Sequence, residues 1–389
     1  MRILFITFSD INVCSSSNIR NVSLIKGFLD LGHTVDVISY RIANKAVLID
    51  DSFASIISGC RVIEIKASLS TEKVSSNLLS SGDKSIKRKI YNKLRKLYYS
   101  LETVDSMRKI ANEIDISALN LNDYDLMISS SNPYSVHILA ERIRNEFYDG
   151  KLKWIQYWGD ALYLDTLTRK PLFPFRVKKA EKDLIRKCDK VIYTNGVVLE
   201  LQQKLFPEFE KKMSFVETPY AFVEHDSVPM VYDVGYFGSY SSGVRNIMPL
   251  YNVLKNIRYK SIIVGNGDQK IESVNQLTVR PRASVNEVSD LEKQTRVLVC
   301  VCNKLSTKGE TGLIPGKAYH YGATKKEVLV IGATPKVKDF LGKYERFVFV
   351  ENKEERIQEA LKNILEKEQR IYTEMTETIP ANAAEAFLR

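Results

Sequence analysis

Nowhere in the 389 residues does an apolar run reach the roughly 18 positions that a membrane-crossing helix needs, so no spanning segment is expected. Cysteine is scarce and scattered. Cys14, Cys60 and Cys188 stand alone, and only Cys300 and Cys302 form a C-x-C pair. With no second Cys/His cluster, that pair makes a poor metal site; two thiols on one face of a buried strand fit better. An acidic D-x-D at the carboxyl end of a strand, able to hold a diphosphate through a cation, is also missing. Asp123 and Asp125 do form the triplet, but at the start of a strand. No metal and no cofactor are therefore expected. The N-terminus, Met1 to Phe8, lacks the length of a signal peptide and reads as a first buried strand, which suggests a cytoplasmic protein. Acidic residues fall short of basic ones, 47 against 57, for a net charge of +10. The excess is not interleaved with aromatics along a groove, so nucleic acid is not the expected partner.

The chain does contain enough sequence for two domains of ordinary size, with 44% hydrophobic residues. Strand, helix and strand follow one another from the start: a strand to Phe8, the polar loop Ser9 to Asn18, a helix with Val22, Ile25, Phe28 and Leu29 inward, and a second strand at Thr34–Ser39. That spacing implies parallel strands joined by right-handed crossovers. Residues 44–120 depart from the pattern and read as an insertion over one edge of the sheet. Alternating strands and helices resume at Tyr124 and continue to Thr194. The prolines Pro207, Pro219 and Pro229 mark a linker over 207–230, after which a second α/β unit begins at Val234. The expected fold is α/β, with two Rossmann-like, doubly wound units in tandem. They span 1–206 and 231–368, and a tail over 369–389 is expected to return to the first unit.

One segment concentrates the chemistry. Gly312 to Gly322 (sequence GLIPGKAYHYG) lies between the apolar runs Val297–Val301 and Val328–Gly332, so a short loop opens a helix after a strand. Free backbone N–H groups and the helix dipole there suit a phosphate, and Lys317 adds a full positive charge. An ordinary turn with a surface lysine is the alternative reading.

Four places together resemble the GT-B glycosyltransferases, particularly bacterial members of glycosyltransferase family 4 that build surface polysaccharides. They are Gly32-His33-Thr34-Val35, Tyr124 to Pro133, Trp154 to Asp160, and the pair of loops Gly235–Ser239 with Arg245 and Ile314–Lys317 with Tyr321. The resemblance implies two domains facing each other across a cleft, an acceptor on the N-terminal unit and a nucleotide-sugar on the C-terminal unit. It places the donor at Gly238, Ser239, Arg245, Glu310, Pro315, Gly316, Lys317, His320 and Tyr321. The acceptor would meet Ser16, Ser17 and Asn18, with Asp160 as the carboxylate that orients or deprotonates its hydroxyl. By the same analogy the reaction would be retaining, and the missing D-x-D at the carboxyl end of a strand would make it metal-independent. The sequence departs from the family where two glutamates usually stand eight positions apart; here those positions are Gly312 and His320. Glu310 is a substitute for the first, and neutral His320 a hydrogen-bonding substitute for the second, with core packing as its alternative role. The missing pair keeps open a catalytically inactive partner of another transferase, and the shared architecture keeps open a nucleotide-sugar 2-epimerase.

The remaining signal is a basic amphipathic run over residues 84–101. Ile86, Ile90, Leu94, Leu97 and Leu101 recur at helical spacing, and seven Lys/Arg cover the other faces. It reads either as a helix on an anionic membrane surface, where a lipid-linked acceptor would be met, or as a solvated helix packed on its own domain. The first reading makes the protein peripheral at the inner face of the membrane.

Overall fold

The computed structural model describes residues 1–41, 49–66, 100–121, 123–164, 171–223, 228–304 and 313–389. The basic run 84–99, Glu310 and Gly312 lie outside them.

Two parallel sheets organise the chain. The first contains β1 (Arg2–Thr7), β2 (Thr34–Tyr40), β3 (Arg61–Ile65), β4 (Leu126–Ser130), β5 (Trp154–Trp158), β6 (Lys190–Tyr193) and β7 (Met213–Phe215), in the order β3-β2-β1-β4-β5-β6-β7. The second contains β8 (Tyr232–Phe237), β9 (Ser261–Val264), β10 (Leu277–Arg280), β11 (Thr295–Val301), β12 (Glu327–Ile331) and β13 (Phe347–Val350), in the order β10-β9-β8-β11-β12-β13. All recorded strand pairs are parallel. The central strands are buried along nearly their whole length because helices cover both faces, and their unbroken apolar runs follow from that. The expectation of two Rossmann-like units therefore holds.

Strand order reverses between β1 and β4 in the first sheet and between β8 and β11 in the second. At such a switch point the flanking loops part and leave a crevice beyond the carboxyl ends of the strands.

Two parts of the sequence reading need correction. Residues 61–65, inside the presumed insertion, form the edge strand β3, hydrogen-bonded to β2 in register Val37 to Val62. Residues 213–215, inside the presumed linker, form β7 against β6. Both strands are short and partly exposed, so neither carries the continuous apolar run of a central strand.

The last helix, Pro380–Leu388, crosses the helix Ser16–Asp30 of the first unit so closely that a Cβ on Gly27 would lie 2.0 Å from the Pro380 carbonyl oxygen. Phe387 packs there against Phe28 and Tyr157, with ring centroids 5.8 and 5.2 Å apart. The two units also touch across the cleft. Asp50 accepts a hydrogen bond from the Val285 N–H at 2.8 Å, and Ser289 donates to the Phe222 carbonyl at 2.7 Å.

Candidate active site

A cavity of about 520 Å³ opens where the two switch points meet. Its walls come from the loop after β1, the start of the helix Ser16–Asp30, the loop after β8, the loop after β10 and the helix Gly316–Gly322. Four cations reach it: Arg20, Arg245, Arg282 and Lys317. No carboxylate stands among the described residues that line it.

Each cation is held by a different device. Arg245 follows β8 on a tight return in which Ser241 and Arg245 exchange backbone hydrogen bonds. Its guanidinium donates to Asn303 Oδ1 at 2.9 and 3.2 Å and to the Ser239 carbonyl at 3.3 Å. Arg282 donates to the Cys14 carbonyl at 2.5 Å, joining the second unit to the first. Arg20 is almost wholly buried, stacked over the Tyr157 ring at 4.7 Å and bonded to Ser130 and to the Ser131 carbonyl. Its Nε has no partner among the described residues. Gly159 makes room for it, since a Cβ there would sit 2.1 Å from Arg20 Nη1.

Lys317 belongs to a buried polar group. Its ammonium donates to Glu292 Oε1 at 2.8 Å and to His320 Nδ1 at 3.1 Å, and it lies 5.4 Å from the centre of the Tyr321 ring. An ammonium can only donate, so His320 Nδ1 must offer a lone pair and the imidazole carries its proton on Nε2, which approaches Glu292 Oε2 at 2.7 Å. His320 is thereby neutral. Burial, helped by the Lys317 charge, pushes its pKa down to about 4 against the pull of Glu292. Burial alone would raise the Glu292 pKa, but the contacts with His320 and Lys317 outweigh it and hold the carboxyl below its ordinary value. Tyr220 closes the group from above, its ring stacked on His320 at 3.5 Å.

Measured against this geometry, the expected donor residues Gly238, Ser239, Arg245, Pro315, Gly316, Lys317 and His320 all line the cavity, as does Ser16. Four others do not line it. Tyr321 is fully buried behind Lys317. Ser17 turns back to the Ser15 hydroxyl at 3.0 Å. Asn18 is fully buried: its amide donates to the Asp10 and Val13 carbonyls and accepts from Ser9, so it shapes the loop and cannot meet an acceptor. Asp160 stands at the carboxyl end of β5 next to Gly159, half-buried, and accepts from Asn132 Nδ2 at 3.3 Å, outside the cavity wall. His320 has both ring nitrogens engaged, so the ribose contact expected of it is not open in this arrangement. Glu310 falls outside the described residues. The core role read for His137 holds: it is fully buried, bonded through Nδ1 to Ser129 and stacked on Trp158 at 4.7 Å, and burial lowers its pKa to about 3.

Sequence reasoning missed Arg20, Arg282 and Glu292. A signal existed for two of them. Arg20 lies on the same helical stripe as the buried Leu24 and Phe28, and Glu292 on that of Val285 and Ser289. A charge at core spacing announces a buried partner.

No protein-family model matches this chain, and no curated protein matches it significantly. Solved structures do match over its whole length. The N-terminal domain of trehalose-6-phosphate phosphatase from Candida albicans aligns with a TM-score of 0.55 at 10% identity, covering 100% of this chain and 93% of that one. UDP-GlcNAc 2-epimerase from Methanocaldococcus jannaschii gives 0.53 at 10%, over 100% and 99%. An alpha-glucosyltransferase in complex with UDP and a DNA 13-mer gives 0.50 at 11%, over 100% and 95%. At such identities the likeness defines the fold, which is GT-B: two Rossmann-like domains facing each other across a cleft.

Proposed function

We propose that this chain is a glycosyltransferase that moves a sugar from a nucleoside diphosphate donor to a saccharide acceptor. The observation that carries the reading is the cavity between the sheets, with four cations on its walls, of which Lys317 is balanced by the buried Glu292, and no described carboxylate lining it. A departing nucleoside diphosphate gains negative charge as the glycosidic bond breaks, and fixed cations in a site sheltered from water stabilise that charge at no reorganisation cost. Arg245 and Lys317 are the diphosphate ligands in this scheme, with Gly238, Ser239, Pro315 and Gly316 shaping the wall around them. Asp160 faces the acceptor side and orients or deprotonates its hydroxyl. A structural neighbour in complex with UDP supports a nucleotide ligand. The sequence resemblance to family 4 supports a retaining reaction in surface polysaccharide synthesis, the missing D-x-D supports metal independence, and the basic amphipathic run 84–101 supports a lipid-linked acceptor and a peripheral place on the inner membrane face.

Calorimetry with UDP, GDP and ADP tests the central claim. At least one nucleoside diphosphate binds, while the matching nucleoside does not. If none of the three binds, the cavity is not a donor site, and an inactive partner of another transferase becomes the better reading. The epimerase likeness favours one further reading, a nucleotide-sugar 2-epimerase using the same cation cluster. Epimerised UDP-sugar formed without any acceptor would decide for it.

A further inference from the structure

Exposed apolar side chains are scattered singly over most of the described surface, and single ones need no explanation. Residues 172–175 differ. Leu172, Phe173 and Phe175 are 55%, 40% and 70% exposed, around the first residue of the helix Pro174–Lys187. The two phenylalanine rings meet edge to face at 6.0 Å. The Leu172 N–H donates to the Ser100 carbonyl at 2.8 Å, which brings Leu101, itself exposed, to the same place.

On the helix side of this patch the charge has one sign. Over Pro174–Ala180 the helix carries Arg176, Lys178 and Lys179 and no carboxylate. Further along, Glu181 is buried and bound to the Leu162 and Tyr163 N–H groups, and Asp183 is paired with Arg186 at 2.8 Å. Arg176 lies 6.0 Å from the centre of the Phe173 ring, so cation and aromatic share one surface. The helix connects β5 to β6 and runs against the strands. Its first turn therefore lies at the carboxyl edge of the sheet, where the cleft opens and Asp160 stands.

We infer that Leu172, Phe173 and Phe175, with Arg176 and Lys179, form a docking surface for an anionic phospholipid bilayer. Aromatic and aliphatic side chains enter the headgroup boundary while the flanking cations attract the negative surface. The argument is charge complementarity, and it rests on residues 172–179 and needs nothing from the basic run. Its purpose rests on the proposed lipid-linked acceptor, because docking at this edge would bring Asp160 and the cleft mouth toward the membrane.

Sedimentation with vesicles of equal phosphatidylglycerol and phosphatidylcholine tests it, with pure phosphatidylcholine as the neutral control. The wild type binds the anionic vesicles at low salt and the neutral ones weakly. Phe173→Ser with Phe175→Ser lowers the partition about tenfold or more, since each aromatic loses its burial. Phe175→Ser alone, at the most exposed position, gives a smaller loss in a variant whose fold is not at issue. Arg176→Gln with Lys179→Gln costs about fivefold per charge in low salt and less as salt rises. The inference is overturned if the wild type stays in solution, or if the double phenylalanine variant partitions like wild type. It is equally overturned if light scattering finds a dimer that the same variant converts to a monomer. UDP affinity, read in parallel, separates the two claims. Vesicle binding without nucleotide binding refutes the proposed function and leaves this surface standing; the reverse pattern refutes the surface alone.

Discussion

Lys317→Ala separates two roles that a single affinity measurement would confuse. The ammonium balances the buried carboxylate of Glu292, and in the proposed function it also binds the donor diphosphate. Removing it deprives the diphosphate of a charge-assisted hydrogen bond, a loss of about 1.5–3 kcal/mol, or roughly tenfold to 150-fold in Kd. It also leaves Glu292, with only 4% of its side chain exposed, facing a neutral imidazole. Breaking a fully buried ion pair costs about 3–5 kcal/mol. Lys317 keeps 31% of its side chain exposed, so water screens part of the pair and a cost of about 2–3 kcal/mol is the better expectation. Adding Glu292→Gln removes the stranded charge. The double variant should thus recover most of the stability and none of the nucleotide affinity. Urea unfolding and calorimetry with the bound nucleoside diphosphate on wild type, both single variants and the double variant complete the cycle. Should the double variant bind nucleotide as well as wild type, Lys317 is a counter-ion for Glu292 and nothing more, and the diphosphate reading of this residue fails.

Other substitutions report on different parts of the site. Asp160→Asn should lower turnover about 100-fold while leaving donor affinity unchanged, and steady-state kinetics beside calorimetry would show it; turnover at the wild-type level would leave Asp160 a structural role only. Gly159→Ala should destabilise the fold by about 1–3 kcal/mol in urea unfolding, because the new methyl meets Arg20 Nη1 at 2.1 Å and that guanidinium is fixed by Tyr157 and Ser130. Glu181 gives a pH test: burial raises its pKa from 4.5 to about 7, against the backbone N–H groups it accepts from. The folded state must then ionise a carboxyl that the unfolded chain ionises more easily, so this penalty is small at pH 5 and complete above the folded pKa. Glu181→Gln should accordingly gain about 2–3 kcal/mol relative to wild type between pH 5 and pH 8.5. A difference that does not change with pH would refute the raised pKa.

How legible each element was depended on how it is buried. The runs of β1, β11 and β12 are apolar on both faces because helices cover both sides of each sheet, so they can be read from the chain directly. The edge strands β3 and β7 have one side open or only three residues, and their sequences Arg61–Ile65 and Met213–Phe215 pass for loop or insertion. Their place follows from hydrogen bonds to β2 and β6, which no local pattern encodes. The cavity divides in the same way. The loop after β8 and the start of the helix Gly316–Gly322 were legible because a glycine and a cation stand close together in sequence near a strand end.

What could not be read was the long-range charge balance. The family resemblance leads one to expect a carboxylate at position 320, and the histidine there looks like a loss. In the fold a carboxylate comes to His320 from elsewhere in the chain: Glu292, on the preceding helix, meets both Lys317 and His320. A second carboxylate at 320 would put two negative charges within about 3 Å in a buried site, an arrangement in which both cannot ionise. A neutral imidazole instead lies against Glu292 through Nε2, at 2.7 Å, and accepts from Lys317 on Nδ1. The histidine at 320 and the glutamate at 292 are therefore coupled by direct contact. This arrangement holds the Lys317 ammonium at the cavity wall, where the proposed diphosphate needs it.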